Sequence, residues 1–495
     1  MKRTAALILC FLMIFSLVSC AAGNSSEDTG TSTTPVASDI DGAKVIMKLG
    51  NTEVTFSEFN LYFHSIPASI INSYQQYFGD DYATYLIEQE KFDPNSSYKD
   101  QPCPYFDGSY YDYFLDTTKN YFMEIAALCT FAEENGIELT DEEKGNNDSE
   151  IKNILDYAAQ SSSTLSEYYS DPLGITTEET VRGLYNKMSL ANKATEAYTN
   201  SITLTDEEID AEFAANPNNY SVVNYLAFTM QSNGETVADE DVKKYADELA
   251  ATTTADEFKA YAKNFYDNVL NADTDDESDF DPASLEQKNV RYSEGLDALE
   301  WLFNEASVGE CYEAFSEEDT ICTVYMLTSA PKLNDYYTKN VRHILFNLTN
   351  YSSDDECKSK AETVYKEYLL NPTEDNFAAL ANKYSEDPDL EYDDSGNATG
   401  QKEEKTSGGL YENIEIGKMV TEFENWCFDP VRQSGDTGII KSTHGYHIMY
   451  FVGDGNKIET GTEAIKSALL RRAFEEYRDS FDLTFDEEFV IENLD

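Results

Sequence analysis

The sequence predicts an α+β chain in which a mainly helical N-terminal region precedes two copies of a β-α-β-β module, the first copy degenerate. Three observations predict it. Helix-capping signals and apolar residues at helical spacing dominate up to about residue 218. Beyond that point short runs rich in β-branched and aromatic residues take over. Those runs, and the amphipathic helix that follows them, recur about 119 residues further on. With 495 residues, 41% of them hydrophobic, the chain has room for about three domains with packed cores.

The first element is an export signal. Lys2 and Arg3 precede an apolar run, Ala5 to Val18, that is too short to span a bilayer comfortably. It ends in Leu17-Val18-Ser19-Cys20, a tetrapeptide that resembles the bacterial lipobox. The resemblance implies that Cys20 is diacylated, becomes the mature N-terminus and anchors an extracytoplasmic protein to the membrane. Residues 21–42, rich in Ser, Thr and Gly, read as a flexible tether.

Residues 43–218 form the helical region. Val45 to Val54 reads as two short strands about Gly50-Asn51, and Thr55 with Glu58 makes a capping box that opens a helix. A helix from Tyr110 to Glu134 ends before Gly136, and a polar segment leads to another from about Thr177 to Thr199. Thr205 and Glu208 cap a further helix that breaks near Pro217. The dense tyrosines of residues 74 to 121 read as core and rim, with a binding groove as the alternative.

The repeat occupies 219–333 and 334–455. Val223-Asn-Tyr-Leu-Ala-Phe228 matches Val341-Arg-His-Ile-Leu-Phe346. Phe258, Tyr261, Ala262 and Phe265 have the i, i+3, i+4, i+7 spacing of Phe377, Leu380, Ala381 and Tyr384. The two tryptophans of the chain, Trp301 and Trp426, correspond, as do Gly309-Glu-Cys311 and Gly435-Asp-Thr437. Residues 456–495 add a helix whose apolar face, Ile465, Ala468, Leu469 and Ala473, needs a partner.

Charge and motif content remove several function classes. A formal charge of -59 repels phosphate backbones, which argues against nucleic acid as a partner. No Gly-x-Ser-x-Gly and no Cys-x-x-Cys occurs, so a serine hydrolase, a zinc ribbon and a thioredoxin-like site lack support, and neither metal nor cofactor is expected. Asp387, Asp389, Glu391 and Asp393 are a weak match to a calcium loop, because Tyr392 stands where a glycine is needed; a solvated loop is the better reading. Cys311 and Cys322 flank a hairpin and either pair across it or remain as free thiols.

Four motifs in 341–453 then fall in one order: Val341-Arg-His343-Ile-Leu-Phe346; the helix ending in Ser385-Glu-Asp387; Gly408-Gly-Leu-Tyr411 running on to Met419 and Phe423; and Gly435 through Thr443-His444-Gly-Tyr-His447-Ile. Together they resemble the parvulin-type peptidyl-prolyl isomerases, or rotamases, and in layout the PrsA-like and SurA-like extracytoplasmic foldases. The resemblance implies an FKBP-like superfold in both modules, a chaperone role for 43–218, and a C-terminal helix that packs back on it. It also implies isomerisation of X-Pro bonds in unfolded or partly folded secreted proteins. Carried over residue by residue, it places Met419 and Phe423 in a cup for the proline ring with Tyr411 on its rim. His343 and His447 face each other across adjacent strands, linked through intervening hydroxyls, and Asp387 lies beside the substrate carbonyl. Thr443 belongs with the catalytic set, and His444 sits at the edge as a binding residue. Residues 389–406 insert an acidic stretch where the family has a short loop. In the first module Tyr225 replaces His343 and Ala298 replaces Phe423, which predicts a catalytically silent copy.

Overall fold

The computed structural model describes residues 40–271, 280–316, 320–388, 390–392, 398–401 and 406–494. The export signal, Cys20 and most of the tether lie outside them. The chain divides into two units, Met1–Glu208 with Lys466–Asp495, and Ile209–Ile465. The boundaries fall inside the helices Asp206–Ala215 and Thr460–Asp479, some ten residues from the expected divisions after 218 and 455.

In the first unit, β1 (Val45–Leu49) and β2 (Thr52–Thr55) form a hairpin that turns at Gly50. Thr55 and Glu58 cap the helix Phe56–Phe78 reciprocally, and Lys187 meets the Glu58 carboxylate at 2.8 Å. The helices Phe56–Phe78, Tyr110–Glu134 and Glu178–Ser201 pack around one aromatic core that includes Phe59, Phe63, Phe114 and Phe122. Asp141–Gln160, within the stretch read as a polar segment, is also a helix. Its Thr140–Glu143 capping box is plain, but only Ile151 and Ala158 of its residues are buried, so periodicity is a poor guide there. The tyrosines divide: Tyr110, Tyr111 and Tyr121 are core, while Tyr77 and Tyr105 are exposed.

The C-terminal segment adds to this unit. Leu470 and Phe474 are buried, Phe474 lies edge-on to Tyr198, and the Tyr198 hydroxyl donates to the Ala473 carbonyl at 2.9 Å. The buried stripe is therefore Leu470, Phe474 and half-buried Tyr477, one helical step from the face expected; only Ile465 of the expected four is fully buried. The last strand of the chain, Leu483–Phe485, pairs antiparallel with β1.

The second unit holds two four-stranded antiparallel sheets of like connectivity. In the first module, β3 (Ser221–Gln231), β4 (Glu286–Arg291), β5 (Cys311–Ser316) and β6 (Ile321–Leu333) lie in the order β4-β3-β6-β5. In the second, β7 (Tyr336–Asn347) leads to a two-stranded ribbon, β8 (Leu390–Tyr392) and β9 (Ala398–Gln401), inside the insertion. Then come β10 (Leu410–Ile414), β11 (Thr437–Ser442) and β12 (Gly445–Ile458), in the order β10-β7-β12-β11. Each module is thus β-α-α-β-α-β-β rather than β-α-β-β. The uncounted strands, β4 and β10, are short, mostly exposed edges that lack the continuous apolar run of the centre.

Cys311 lies opposite Met326, and Cys322 opposite Phe315. Four residues of offset, about 13 Å along a strand, separate the two thiols. All six described cysteines are free.

Candidate active site

The central strands of the second sheet are covered on both faces. Ile344, Phe346, Tyr446, Ile448 and Tyr450 point to the helices Asp354–Leu369 and Glu374–Tyr384. The alternate residues Val341, Met449 and Phe451 point to the short helix Thr421–Cys427. His343 and His447 belong to this second set, because strand side chains alternate with period two. His343 pairs with Met449, and His447 with Leu345, so the two imidazoles are diagonal neighbours on one face.

They meet directly, without an intervening hydroxyl. The Nδ1 atoms lie 3.3 Å apart, and each ring is 4% exposed. His343 Nε2 is 3.0 Å from Asp387 Oδ2, and His447 Nε2 is 2.7 Å from the buried Ser442 hydroxyl. Tyr411 donates its hydroxyl to the same Asp387 oxygen at 2.8 Å, and the His444 amide donates to Ser442 Oγ at 3.1 Å. With His447 neutral and Asp387 ionised, a continuous chain of hydrogen bonds links the Ser442 hydroxyl, His447, His343 and Asp387, and every ring nitrogen has a partner.

Burial, with neighbouring His343 adding to it, pushes the His447 imidazole down to about 3, so it stays neutral near pH 7. Burial alone would raise Asp387, but the hydrogen bond and charge of His343 and the Tyr411 hydroxyl together hold its carboxyl below the usual range. Asp387 is the partly exposed end of the relay, its side chain 26% accessible. Its position is set locally. The Glu386 amide donates to the Leu345 carbonyl and the Leu345 amide to Ser385 Oγ, which ties the segment after the helix to β7. The Glu386 carboxylate also accepts from the Asn347 amide and the Tyr351 hydroxyl.

Phe423 lies over this relay, edge-on to His343 at 5.3 Å and to His447 at 5.7 Å between centroids. Met419, Val420 and Trp426 are half-buried around it. Tyr411 is 37% exposed and edge-on to His343 at 4.9 Å, where a rim residue would be. Thr443 and His444 are both exposed on the β11–β12 turn. The hydroxyl in contact with His447 is that of Ser442, whereas Thr443, expected in the catalytic set, is exposed on the turn. Strand alternation could have found it, since Ser442 lies two residues from Ile440, the cross-strand partner of His447, and so on the same face.

The Gly408-Gly409 pair has a steric reason. A Cβ on Gly409, at φ +66°, would come within 2.2 Å of the His343 carbonyl oxygen, and the His343 amide donates to the Gly409 carbonyl. Arg342, paired with Glu374, binds the Ser407 and Gly408 carbonyls from the other side. Gly409→Ala is expected to destabilise the module by more than about 2 kcal/mol and to displace β10 with Tyr411. A thermal melt followed by Trp426 fluorescence would check it.

The first module has the same cradle with different contents. Tyr225 stands at the His343 position, and the register brings Tyr325, opposite Ala227, to the place of His447. Their rings are 5.8 Å apart. Two tyrosines replace the histidine pair.

The second module, an antiparallel sheet in the order β10-β7-β12-β11 with helices on both faces and a His–His–Asp relay, matches the PPIC-type PPIase domain family, that of rotamases, over residues 343–453. Over 154 residues the chain is 32% identical to foldase protein PrsA 1 of Listeria innocua serovar 6a, covering 30% of this chain and 42% of the relative. The same identity and coverage hold for foldase protein PrsA 1 of Listeria monocytogenes serotype 4b. The match thus spans under half the length of these curated relatives.

Proposed function

We propose that this chain is a foldase whose second module isomerises X-Pro bonds in unfolded or partly folded secreted proteins at the outer face of a bacterial membrane, with Cys20 as lipid anchor. The observation that carries the reading is Phe423 seated on the buried relay that ends in Asp387.

Isomerisation breaks no covalent bond, and its barrier is the amide resonance of about 18–20 kcal/mol. A site that binds the twisted amide better than the planar one is sufficient. The apolar surroundings of Phe423 and Met419 would grip the pyrrolidine ring and favour the twisted form, in which less charge is separated. As conjugation is lost, the carbonyl oxygen sheds the negative charge it receives from nitrogen. A fixed carboxylate at Asp387 beside that oxygen disfavours the planar amide relative to the twisted one. His343, His447 and Ser442 hold Asp387 and its charge in place, as positioning residues, and Tyr411 joins Asp387 to the rim. The roles of Met419, His444 and Thr443 at the edge of the cup belong to this proposal as well.

The helical unit would hold client segments, and the first module, with Tyr225 and Tyr325 in place of the relay, would serve spacing or client contact without catalysis. Refolding of a protein whose slow phase is limited by a cis proline tests the foldase reading. The slow phase should shorten in proportion to added chain. Suppressed aggregation with an unchanged slow phase would instead favour a non-catalytic holdase. In the Phe423→Ala chain no acceleration should remain, because the first module is silent; residual acceleration would assign activity to that module.

A further inference from the structure

In the first unit a cavity of about 330 Å³ is lined by Tyr74, Tyr105, Tyr110, Tyr113, Phe92 and Glu90. Tyr74 donates to one carboxylate oxygen of Glu90 and Tyr105 to the other, each at 2.5 Å, and Tyr110 donates to the Glu90 carbonyl at 2.5 Å. Phe92 and Tyr110 are fully buried with centroids 4.8 Å apart, while Tyr105 is 62% exposed at the mouth. Ile70 supplies an aliphatic patch on the side of the helix Phe56–Phe78.

Several other carboxylates of this unit have basic partners. Glu58 meets Lys187 and Glu143 meets Lys193, each at 2.8 Å. Among the described residues no lysine or arginine forms an ion pair with Glu90. The hydrogen bonds from Tyr105 and Tyr74 hold its carboxyl below the ordinary range, so the group is ionised near neutral pH. An ionised carboxylate that accepts from two phenols beside a ring of aromatic side chains is complementary to one kind of ligand. The rings attract a cation through their quadrupoles, the carboxylate attracts it through its charge, and the aliphatic and ring surfaces accept the methylenes of a long stem.

We propose that this aromatic cage binds the ammonium or guanidinium side chain of an extended polypeptide, a second client site on the helical unit, apart from the proline site. That the occupant is a polypeptide rests on the foldase reading, whereas the preference for a cation rests on the cage alone. The net charge of -59 favours basic segments by long-range attraction as well.

The test titrates the full chain with blocked glycine-rich peptides that carry one lysine, one arginine or one norleucine, read by tyrosine fluorescence and calorimetry. Lysine and arginine peptides should bind at least about 10-fold more tightly than the norleucine peptide, and salt should weaken them. Glu90→Gln and the exposed Tyr105→Leu should each lower lysine-peptide affinity at least about 5-fold. Both variants should isomerise proline peptides as the parent chain does, so a failure here is distinct from a failure of the isomerase reading. Equal binding of lysine and norleucine peptides would overturn the proposal. So would parental affinity in Tyr105→Leu, whose exposure keeps it informative if Glu90→Gln misfolds. Binding of tetramethylammonium without binding of the lysine peptide would overturn the polypeptide occupant.

Discussion

Phe423→Ala is expected to destabilise the second module by about 3–5 kcal/mol and to lower kcat/KM for proline peptides by at least about 100-fold. The side chain is 1% exposed and joins Val341, Met449, Phe451 and Cys427 in one cluster, so truncation leaves a cavity under the short helix Thr421–Cys427. The same ring is the surface against which His343 and His447 rest. Stability and activity would therefore fall together. Phe423→Leu separates them: it keeps most of the buried volume and should lose less than about half the stability of the alanine variant, but it removes the flat ring that the proline ring would meet. Urea titration and a peptide assay on both variants read the two effects. Activity in Phe423→Leu equal to that of the parent would leave the ring a purely structural role.

Lowering the pH from 7 to 4.5 should weaken the second module by about 2–3 kcal/mol through His447 alone. In the unfolded chain this imidazole takes a proton at its ordinary value of 6.5, whereas in the folded chain it remains neutral down to about 3. Between those values the unfolded state binds more protons, so stability is complete above about 6.5 and falls by about 1.4 kcal/mol per pH unit towards 3. Asp387, held below its ordinary value, acts in a lower window and hardly contributes at pH 4.5. Since Trp301 and Trp426 report on separate modules, a Trp301→Phe background lets fluorescence follow the second module by itself. Urea unfolding at both pH values should show the loss in that background and a smaller loss when His447→Gln is added. An equal loss in the two chains would place the acid sensitivity elsewhere.

Much of this site was legible because a strand covered on both faces still alternates strictly. Two histidines in apolar runs could only be buried, and two buried imidazoles need partners. Their diagonal placement and direct contact were not legible, since register depends on which residues of β7 and β12 face each other. The Ser442 hydroxyl beside His447 follows from the register that pairs Ile440 with His447 and Ser442 with Gly445. The helical region was read through its capping boxes, which act locally, and misread where burial sets the pattern. The helix Asp141–Gln160 buries two side chains and so has almost no apolar stripe. The face of the C-terminal helix was misplaced by one step because Tyr198 and the neighbouring aromatics, distant in sequence, choose Leu470 and Phe474. The edge strands β4 and β10 carry polar residues on both sides and owe their strand form to β3 and β7.

The first module gives the strongest internal control. Its sheet order matches that of the second, but Tyr225 and Tyr325 fill the space of the imidazole pair. Two protonated phenols cannot hold a carboxylate through a relay of ring nitrogens. Architecture and chemistry are separable on this framework, as expected when function resides in a site grafted on a fold.

The most direct measurement is the cis-to-trans rate of a proline tetrapeptide in a protease-coupled assay with the full chain, its Asp387→Ala variant and its Phe423→Leu variant. A rate that rises in proportion to the concentration of the parent chain, and that falls to near the uncatalysed value in both variants, is the predicted result. A parent chain that leaves the uncatalysed rate unchanged, or variants that match the parent, would contradict it.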